Sequence, residues 1–213
     1  MRAADPGPAL CAAVRLCGAL LPEKSTVTHH DLVEGTFDIG DIRVDTRFLN
    51  HPALTLGYRL DVDGAVVVYA SDHEPHDRDL ASGGDVARNR HDAAHADWIA
   101  GADLLVHDAQ FRSEEFDEHV GWGHSTVEYV VEVARRAEVG TVALHHHDPN
   151  RTDDEVDRLL EQAYRHAARC GYRGTIVAAA EGETITLRSD AAPRAVHAAP
   201  GRDVASAVPT RAI

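Results

Sequence analysis

The segment from Gly121 to Pro149 predicts one helix followed by one buried strand, with histidines at both ends of this unit. An S-x-x-E capping box of Ser125 and Glu128 is expected to start the helix, and apolar residues then recur at helical spacing until Gly140. The short apolar run at 141–144 predicts the strand. A helix followed by a buried strand is typical of an α/β domain, in which helices pack on a sheet.

Three consecutive histidines, His145, His146 and His147, stand at the carboxyl end of that strand. In open α/β sheets, ligands bind in the crevice outside the carboxyl ends of the strands. We therefore expect His124, at the start of the helix, to share a pocket with one of these three histidines. The other two are expected to be supporting or surface groups.

Two further predicted strands end in acidic side chains. The run at 65–70, AVVVYA, predicts a strand buried on both faces, and Asp72 follows it. The run at 103–106 is followed by Asp108, which either orients a ligand histidine or caps its loop. Three predicted strands thus end in His or Asp side chains, and this pattern favours a ligand site at one edge of a sheet.

The remaining segments extend the α/β pattern. The sequence predicts two strands within 37–48, a hairpin of 54–60 with 65–69, a loop at 76–90, a short helix at 93–99, a long helix from a Thr152/Glu155 capping box to Gly171, and a last hairpin of 175–179 with 184–187. We expect one domain at 25–187, preceded by a weak helix or disordered lead at 1–24 and followed by a disordered tail at 188–213.

Composition narrows the choice of partners and metals. The net charge of −14, from 35 acidic and 21 basic residues, argues against affinity that comes from neutralising phosphates, so nucleic acid is not expected as a partner. Fifteen histidines against three cysteines favour a metal site of imidazole and carboxylate ligands, which suits zinc or manganese. The cysteines form no C-x-x-C pair and the apolar stretch at 10–21 is too short to span a membrane, so a cytoplasmic location is expected.

Residues His91 and His95, in HDAAH, lie one helical turn apart and superficially resemble the paired ligands of a zinc protease. Asp92 is one methylene shorter than the usual glutamate, and no third ligand follows convincingly. We expect this segment to be an exposed polar helix face.

Five motifs in order, NHPALTLGYRL, VVVYASDHE, LLVHDAQF, GWGHSTVE and VALHHHDP, resemble the second half of the metallo-beta-lactamase superfamily of binuclear metal hydrolases, on its phosphodiesterase and tRNA-processing-nuclease side. The resemblance covers residues 36–187. It implies an α/β fold, part of an αββα sandwich of mixed sheets flanked by helices, with 25–187 as the C-terminal part of that domain.

The same resemblance implies two zinc sites, with manganese as the alternative metal. His51 would be a ligand of the first metal, Asp72 would bridge both metals, and His146 would be a ligand of the second. His124 would be the catalytic residue that contacts the substrate phosphate.

These roles predict a metal-dependent hydrolase, with a small phosphodiester such as a cyclic nucleotide as its substrate. The alternatives are a metal-dependent ribonuclease and a non-catalytic remnant that docks on a partner. The family's H-x-H-x-D-H motif, which supplies two ligands to each metal, is absent from the sequence. The chain looks like one that begins after that motif, so we expect weak or incomplete metal binding, and association into a homo-oligomer or with a missing N-terminal half.

Overall fold

The computed structural model describes residues 30–187, which contain a seven-stranded sheet in the order of the sequence. Its strands are β1 (Gly35–Ile39), β2 (Ile42–Phe48), β3 (Leu56–Val62), β4 (Ala65–Ala70), β5 (Leu104–Asp108), β6 (Thr141–His145) and β7 (Thr175–Ala178). The helices are α1 (Arg90–Ile99), α2 (Ser113–Phe116), α3 (Val127–Arg136) and α4 (Asp153–Cys170), with 3-10 turns at Arg78–Ser82 and Val86–Arg88. The segments predicted at 1–24 and 188–213 lie outside the described residues.

The sheet is mixed, as the α/β class predicted. β1 to β4 pair antiparallel, and β4 to β7 pair parallel. Asp63 and Gly64, both with positive φ, make the tight turn between β3 and β4. Parallel strands need a crossover, and α1, α3 and α4 lie in the three crossovers that follow β4. The described residues contain one sheet, so the second sheet of the implied sandwich is not part of them.

The main core lies between one face of the sheet and the helices. Val68 of β4, Leu105 of β5 and Leu144 of β6 are fully buried in one cluster with α1, α3 and α4. Alternate residues of β4 point away from that cluster, and Tyr69 is 37% exposed. The prediction that β4 is buried on both faces was therefore wrong, because the helices of the described residues cover one face only.

Helix α3 starts one residue later than its predicted capping box. Thr126 is the N-cap, and its hydroxyl accepts a hydrogen bond from the Tyr129 N–H at 3.2 Å. The Ser125 hydroxyl instead donates to the His73 carbonyl, and Glu128 accepts from Gln162 at 2.5 Å. Both residues of the predicted capping box thus bond to residues that are distant in the sequence, so the box does not form.

Helix α4 begins and ends as predicted. Thr152 and Glu155 form a capping box, and Gly171 ends the helix in the left-handed conformation with φ of 82°. Beyond β7, residues 184–187 form no strand, so the predicted last hairpin was wrong. β7 pairs with β6 instead. Among the described helices, none is long and apolar enough to cross a membrane.

Candidate metal centre

The predicted site residues lie at one edge of the sheet. β2 runs in the same direction as β4, because each pairs antiparallel with β3, and β5 and β6 are parallel to β4. The carboxyl ends of these four strands therefore meet at the same edge. His51 follows β2, Asp72 follows β4 and His146 follows β6, while His124 lies three residues before Val127, the first residue of α3.

Four side chains converge there. His51, Asp72 and His124 each offer a ligand atom, and these atoms lie within 4.8 Å of one another. His146 Nε2 is 3.2 Å from Asp72 Oδ1, and the His124 and His146 rings stack at 4.8 Å between centroids. We call the space between these four side chains the cleft. Their convergence is a structural observation, and metal binding by them stays a prediction.

Two of these residues have unusual backbone conformations. Asp72 has a φ of 57° and His146 a φ of 58°, in the left-handed region that L residues rarely adopt. Such a conformation costs about 1–3 kcal/mol and is concentrated at functional sites. Both residues come just after a strand, where the chain turns sharply at the sheet edge.

Hydrogen bonds fix the orientation of the His51 ring. His51 Nδ1 is 3.2 Å from the Ala53 carbonyl oxygen and 3.1 Å from the Thr55 hydroxyl. The Ala53 N–H also donates to Nδ1 at 3.1 Å. These contacts all involve Nδ1, so Nε2 is the ring nitrogen left for a ligand in the cleft.

A buried carboxylate holds His124 in the same way. Asp108 is fully buried, and its Oδ2 is 2.6 Å from His124 Nδ1. The Asp108 carboxylate also accepts hydrogen bonds from the backbone N–H groups of His73, Gln110 and Ser125, at 3.2, 3.1 and 3.3 Å. The sequence left two roles open for Asp108, and it has both, since it orients a histidine and caps its own loop.

The charge on Asp108 also affects the proton affinity of His124. Burial by itself would lower the pKa of His124, but the hydrogen bond to Asp108 and the nearby Asp72 and Glu74 carboxylates outweigh it and raise this pKa above its usual value. The imidazolium form is therefore stabilised next to the cleft.

Glu74 is a site residue whose role the sequence did not reveal. It is 8% exposed, and its carboxylate accepts hydrogen bonds from the N–H groups of Gly121 at 2.9 Å and Gly123 at 2.7 Å. Gly123 has a φ of 92°, and a Cβ there would overlap the His51 ring. Glu74 thus fixes the backbone of the loop before α3, and this loop packs against His51, a candidate metal ligand.

Replacing Gly123 with alanine should both strain the backbone and displace His51. We expect about 2–4 kcal/mol of destabilisation, from a positive φ plus overpacking, and weaker zinc binding. Gly121→Ala is the matched control, because Gly121 has a φ of 86° but a Cβ there would meet no atom within 4 Å. Urea unfolding and zinc titration of both variants make the comparison, and equal effects of the two would show that Gly123 does not pack on a metal ligand.

A second group of histidines lies buried beneath the cleft. The rings of His73 and His95 stack at 3.8 Å between centroids, and His95 Nε2 is 3.0 Å from His107 Nε2. Tyr129 closes the group, with its hydroxyl 3.3 Å from His73 Nε2 and donating to Asp92 at 2.8 Å. Asp92 is fully buried and His95 is 8% exposed. The prediction of an exposed HDAAH face was therefore wrong for both residues, although His91 is exposed.

These histidines are held in the neutral form. His107 Nδ1 is 2.7 Å from the Asp108 carbonyl oxygen and donates to it, so His107 Nε2 accepts the proton of His95 Nε2. Burial lowers the pKa of His107, and burial together with the neighbouring histidines lowers the pKa of His95 well below its usual range. Charging His107 would set its new Nε2–H against that of His95, and charging His95 would place a cation in a dry interior.

We expect the free energy of unfolding to fall as the pH falls below about 6.5, the usual value for an unfolded histidine. The folded pKa of each ring is depressed, so the unfolded chain binds more protons, and the stability present above about pH 6.5 is lost progressively below it. Each fully neutral ring contributes up to about 1.4 kcal/mol per pH unit. Urea unfolding between about pH 7.5 and pH 5 measures the slope. His95→Gln should reduce it, and an unchanged slope would contradict the assignment.

One other group in residues 30–187 has metal-ligand side chains, namely Glu132, His166 and Cys170. Its polar atoms already have partners, because Glu132 accepts from Arg135 at 2.8 Å and from His166 at 3.1 Å. Arg169 also lies 3.2 Å from His166 Nδ1. Two guanidinium groups place positive charge at this position, so we interpret it as an ion-pair network between α3 and α4.

The donor set of the cleft fits a zinc ion. Imidazole and carboxylate are ligands that zinc accepts, and a catalytic zinc usually has three protein ligands and one open position. His51, Asp72 and His124 offer three such ligand atoms within 4.8 Å of one another, and His146 Nε2 lies 3.2 Å from Asp72 Oδ1. A cavity of about 220 Å³ opens next to this set, lined by Asn50, His51, Pro52, Glu74 and Gly121.

Two known proteins are similar to part of this chain. The ribonuclease Z of Archaeoglobus fulgidus is 36% identical over 100 residues, which are 47% of this chain and 27% of that protein. The ribonuclease Z of Thermoplasma acidophilum is 35% identical over 113 residues, which are 50% of this chain and 31% of that protein. The matched region thus spans less than a third of either relative. No profile of a known protein family matches the chain.

These relatives correct the prediction about the partner. A small phosphodiester was expected as the partner and nucleic acid was not, yet the matched proteins are ribonucleases. The net charge of −14 is a sum over the whole chain and does not describe the field inside one cleft. A local metal ion also inverts the charge that an incoming phosphate meets.

The structure of the metallo-beta-lactamase fold protein YhfI from Bacillus subtilis superposes on the chain with a TM-score of 0.57 and 17% identity. The match covers 81% of this chain and 61% of YhfI. Together with the mixed sheet, its flanking helices and the site at its carboxyl edge, this match confirms the resemblance that the motifs indicated: the chain has the fold of the metallo-beta-lactamase superfamily, in part.

Proposed function

We propose that the protein is a metal-dependent hydrolase that cleaves phosphodiester bonds in RNA. The observation that carries this proposal is the convergence of His51, Asp72, His124 and His146 at one edge of the sheet. The choice of RNA rests on the similarity to ribonuclease Z proteins.

Within this proposal, His51, Asp72 and His146 would be ligands of the two metals that the resemblance implies. The two histidines would bind through ring nitrogens, and Asp72 would bind through its carboxylate. Asp72 is placed for this because Ser71 donates to its Oδ2 at 2.7 Å while Oδ1 faces His146. A zinc or manganese ion held by these residues would lower the pKa of a water toward about 7 and would offset the charge of a phosphate.

His124 supplies the proton chemistry. Its Nδ1 is held by Asp108, so its Nε2 is the atom that presents a proton to a phosphate in the cleft. Asp108 is fully buried and charge-paired, and it therefore stabilises the imidazolium and fixes its direction, as in other carboxylate-histidine pairs. We assign His124 as the group that protonates the leaving oxygen or binds the phosphoryl oxygens.

Cleavage of a labelled RNA with a single-stranded 3′ end tests this proposal. The protein is assayed with zinc, with manganese and with a chelator, and metal-dependent cleavage is expected at a low rate, because the sequence lacks the H-x-H-x-D-H ligands. His124→Gln should lower kcat by roughly 100-fold while leaving metal content unchanged. Cleavage that persists in the chelator, or is unaffected by His124→Gln, would contradict the proposed chemistry.

A second candidate function is favoured by the missing motif. A protein of this fold without a full set of ligands would bind RNA and not cut it. The same assay separates the two candidates, since a non-catalytic protein retains RNA in a filter-binding or gel-shift measurement but shows no metal-dependent product.

A further inference from the structure

One large aromatic side chain next to the cleft is exposed to water. Trp122 is 59% exposed, whereas the other tryptophan, Trp98, is 5% exposed and packs in the core. An exposed indole forgoes the free energy that burying its apolar surface would provide. An exposed tryptophan at a fixed position is therefore a candidate binding residue.

The backbone around Trp122 is fixed from both sides. The N–H groups of Gly121 and Gly123 donate to the buried Glu74 carboxylate, and the Trp122 N–H donates to the His119 carbonyl at 3.1 Å. The indole also meets the His119 ring edge to face at 4.8 Å, and His119 stacks on the buried Phe111 at 4.3 Å. The aromatic group is therefore held at a fixed place while more than half of it stays in water.

The position is directly beside the candidate metal centre. Gly121 lines the cavity at the cleft, and Gly123 packs against the His51 ring. Trp122 lies between them and is two residues from His124, a chain distance of at most about 7 Å. A ligand whose phosphate entered the cleft would place its adjoining nucleoside within reach of this loop.

We propose that Trp122 is a stacking platform for an unpaired RNA base next to the phosphate that is cleaved. The proposal rests on the proposed function for its choice of RNA, and it adds a residue that positions the substrate. Stacking on an indole accepts any base, because every base has a π-face. It also works without basic side chains, which matters because the nearby segment 114–118 contains Glu114, Glu115, Asp117 and Glu118.

A protein partner that buries Trp122 is the rival interpretation. RNA is favoured because the indole lies beside a cleft whose side chains suit phosphate chemistry. The sharper distinction comes from a measurement of binding that needs neither metal nor cleavage.

The test uses the full chain in a chelator and a single-stranded hexamer of adenylate as the probe. Binding is followed by tryptophan fluorescence and, with a labelled hexamer, by anisotropy. Bound hexamer should quench the emission of the exposed indole. Trp122→Leu should lose that quenching and bind about tenfold more weakly, whereas Trp122→Phe should keep most of the affinity because it retains a ring. Tyr164→Leu, at a 49% exposed aromatic residue on α4, is the matched control and should bind normally.

The outcomes separate this inference from the proposed function. Absence of hexamer binding by the parent protein, or equal affinity of parent and Trp122→Leu, overturns the stacking role. Trp122-dependent binding without metal-dependent cleavage leaves the stacking role in place and removes the proposed hydrolase. Metal-dependent cleavage that Trp122→Leu leaves unchanged would support the proposed hydrolase and remove the stacking role.

Discussion

Asp72→Ala should reduce RNA cleavage to the level seen in a chelator and weaken zinc binding by more than about 100-fold. Asp72 is the one carboxylate among the four side chains of the cleft, and its ligand atom lies within 4.8 Å of those of His51 and His124. Loss of groups that only orient a metal ligand already costs about 10–100-fold in affinity, so loss of the ligand itself should cost more. Zinc competition with a chromophoric chelator, beside the cleavage assay, measures both effects.

The control for this variant must reproduce its backbone strain. Asp72 has a φ of 57°, and alanine there is strained even apart from any lost ligand. Asp63 has a φ of 51° in the β3–β4 turn, so Asp63→Ala makes the same backbone change outside the cleft. We expect Asp63→Ala to lose some stability and to keep its zinc affinity. If both variants keep zinc affinity, Asp72 is not a ligand.

Asp92→Ala should produce the largest loss of stability, about 3–5 kcal/mol, because the side chain is fully buried and accepts three hydrogen bonds. Its Oδ1 accepts from the His76 N–H at 2.9 Å and the Tyr129 hydroxyl at 2.8 Å, and its Oδ2 accepts from the Asp77 N–H at 3.0 Å. Truncation removes the partner of two part-buried backbone N–H groups and of the fully buried Tyr129 hydroxyl. Total stabilities are about 5–15 kcal/mol, so this loss should be visible as a large shift in the urea midpoint.

A second aspartate on the same helix gives the comparison. Asp97 is also on α1, but its side chain is 69% exposed and pairs with Arg136 on the surface. Asp97→Ala should cost less than about 1 kcal/mol, as exposed ion pairs generally do. Similar losses from Asp92→Ala and Asp97→Ala would mean that the buried network does not support the fold.

The sequence alone predicted the seven strands of the sheet and the edge at which the site lies, although it also predicted a strand at 184–187 that does not form. Alternation and turn residues such as Asp63-Gly64 predicted the hairpin of β3 and β4, and a local capping box predicted the start of α4. The strand-end pattern placed Asp72 and His146 at a common edge because carboxyl ends of parallel strands necessarily meet. These features depend on neighbours in the sequence.

Features that depend on distant partners could not be predicted from local patterns. Ser125 and Glu128 form bonds to His73 and Gln162 instead of a capping box, and those partners are known only from the fold. The burial of Asp92 and His95 had a weak signal, since both share the spacing of Ile99 on α1. Because both side chains are polar, the sequence favoured an exposed position. Carboxylates are rarely buried unless hydrogen bonds pair their oxygens.

X-ray absorption at the zinc edge of the zinc-loaded protein tests the central claim most directly. The cleft offers imidazole nitrogens and one carboxylate, so we expect nitrogen and oxygen scatterers at about 2.0–2.1 Å, with the multiple-scattering pattern of at least two imidazoles and no sulfur. The Asp72→Ala protein should fail to give this spectrum. A sulfur shell at about 2.3 Å, or a spectrum unchanged by Asp72→Ala, would place the metal outside the cleft and contradict its assignment as the metal centre.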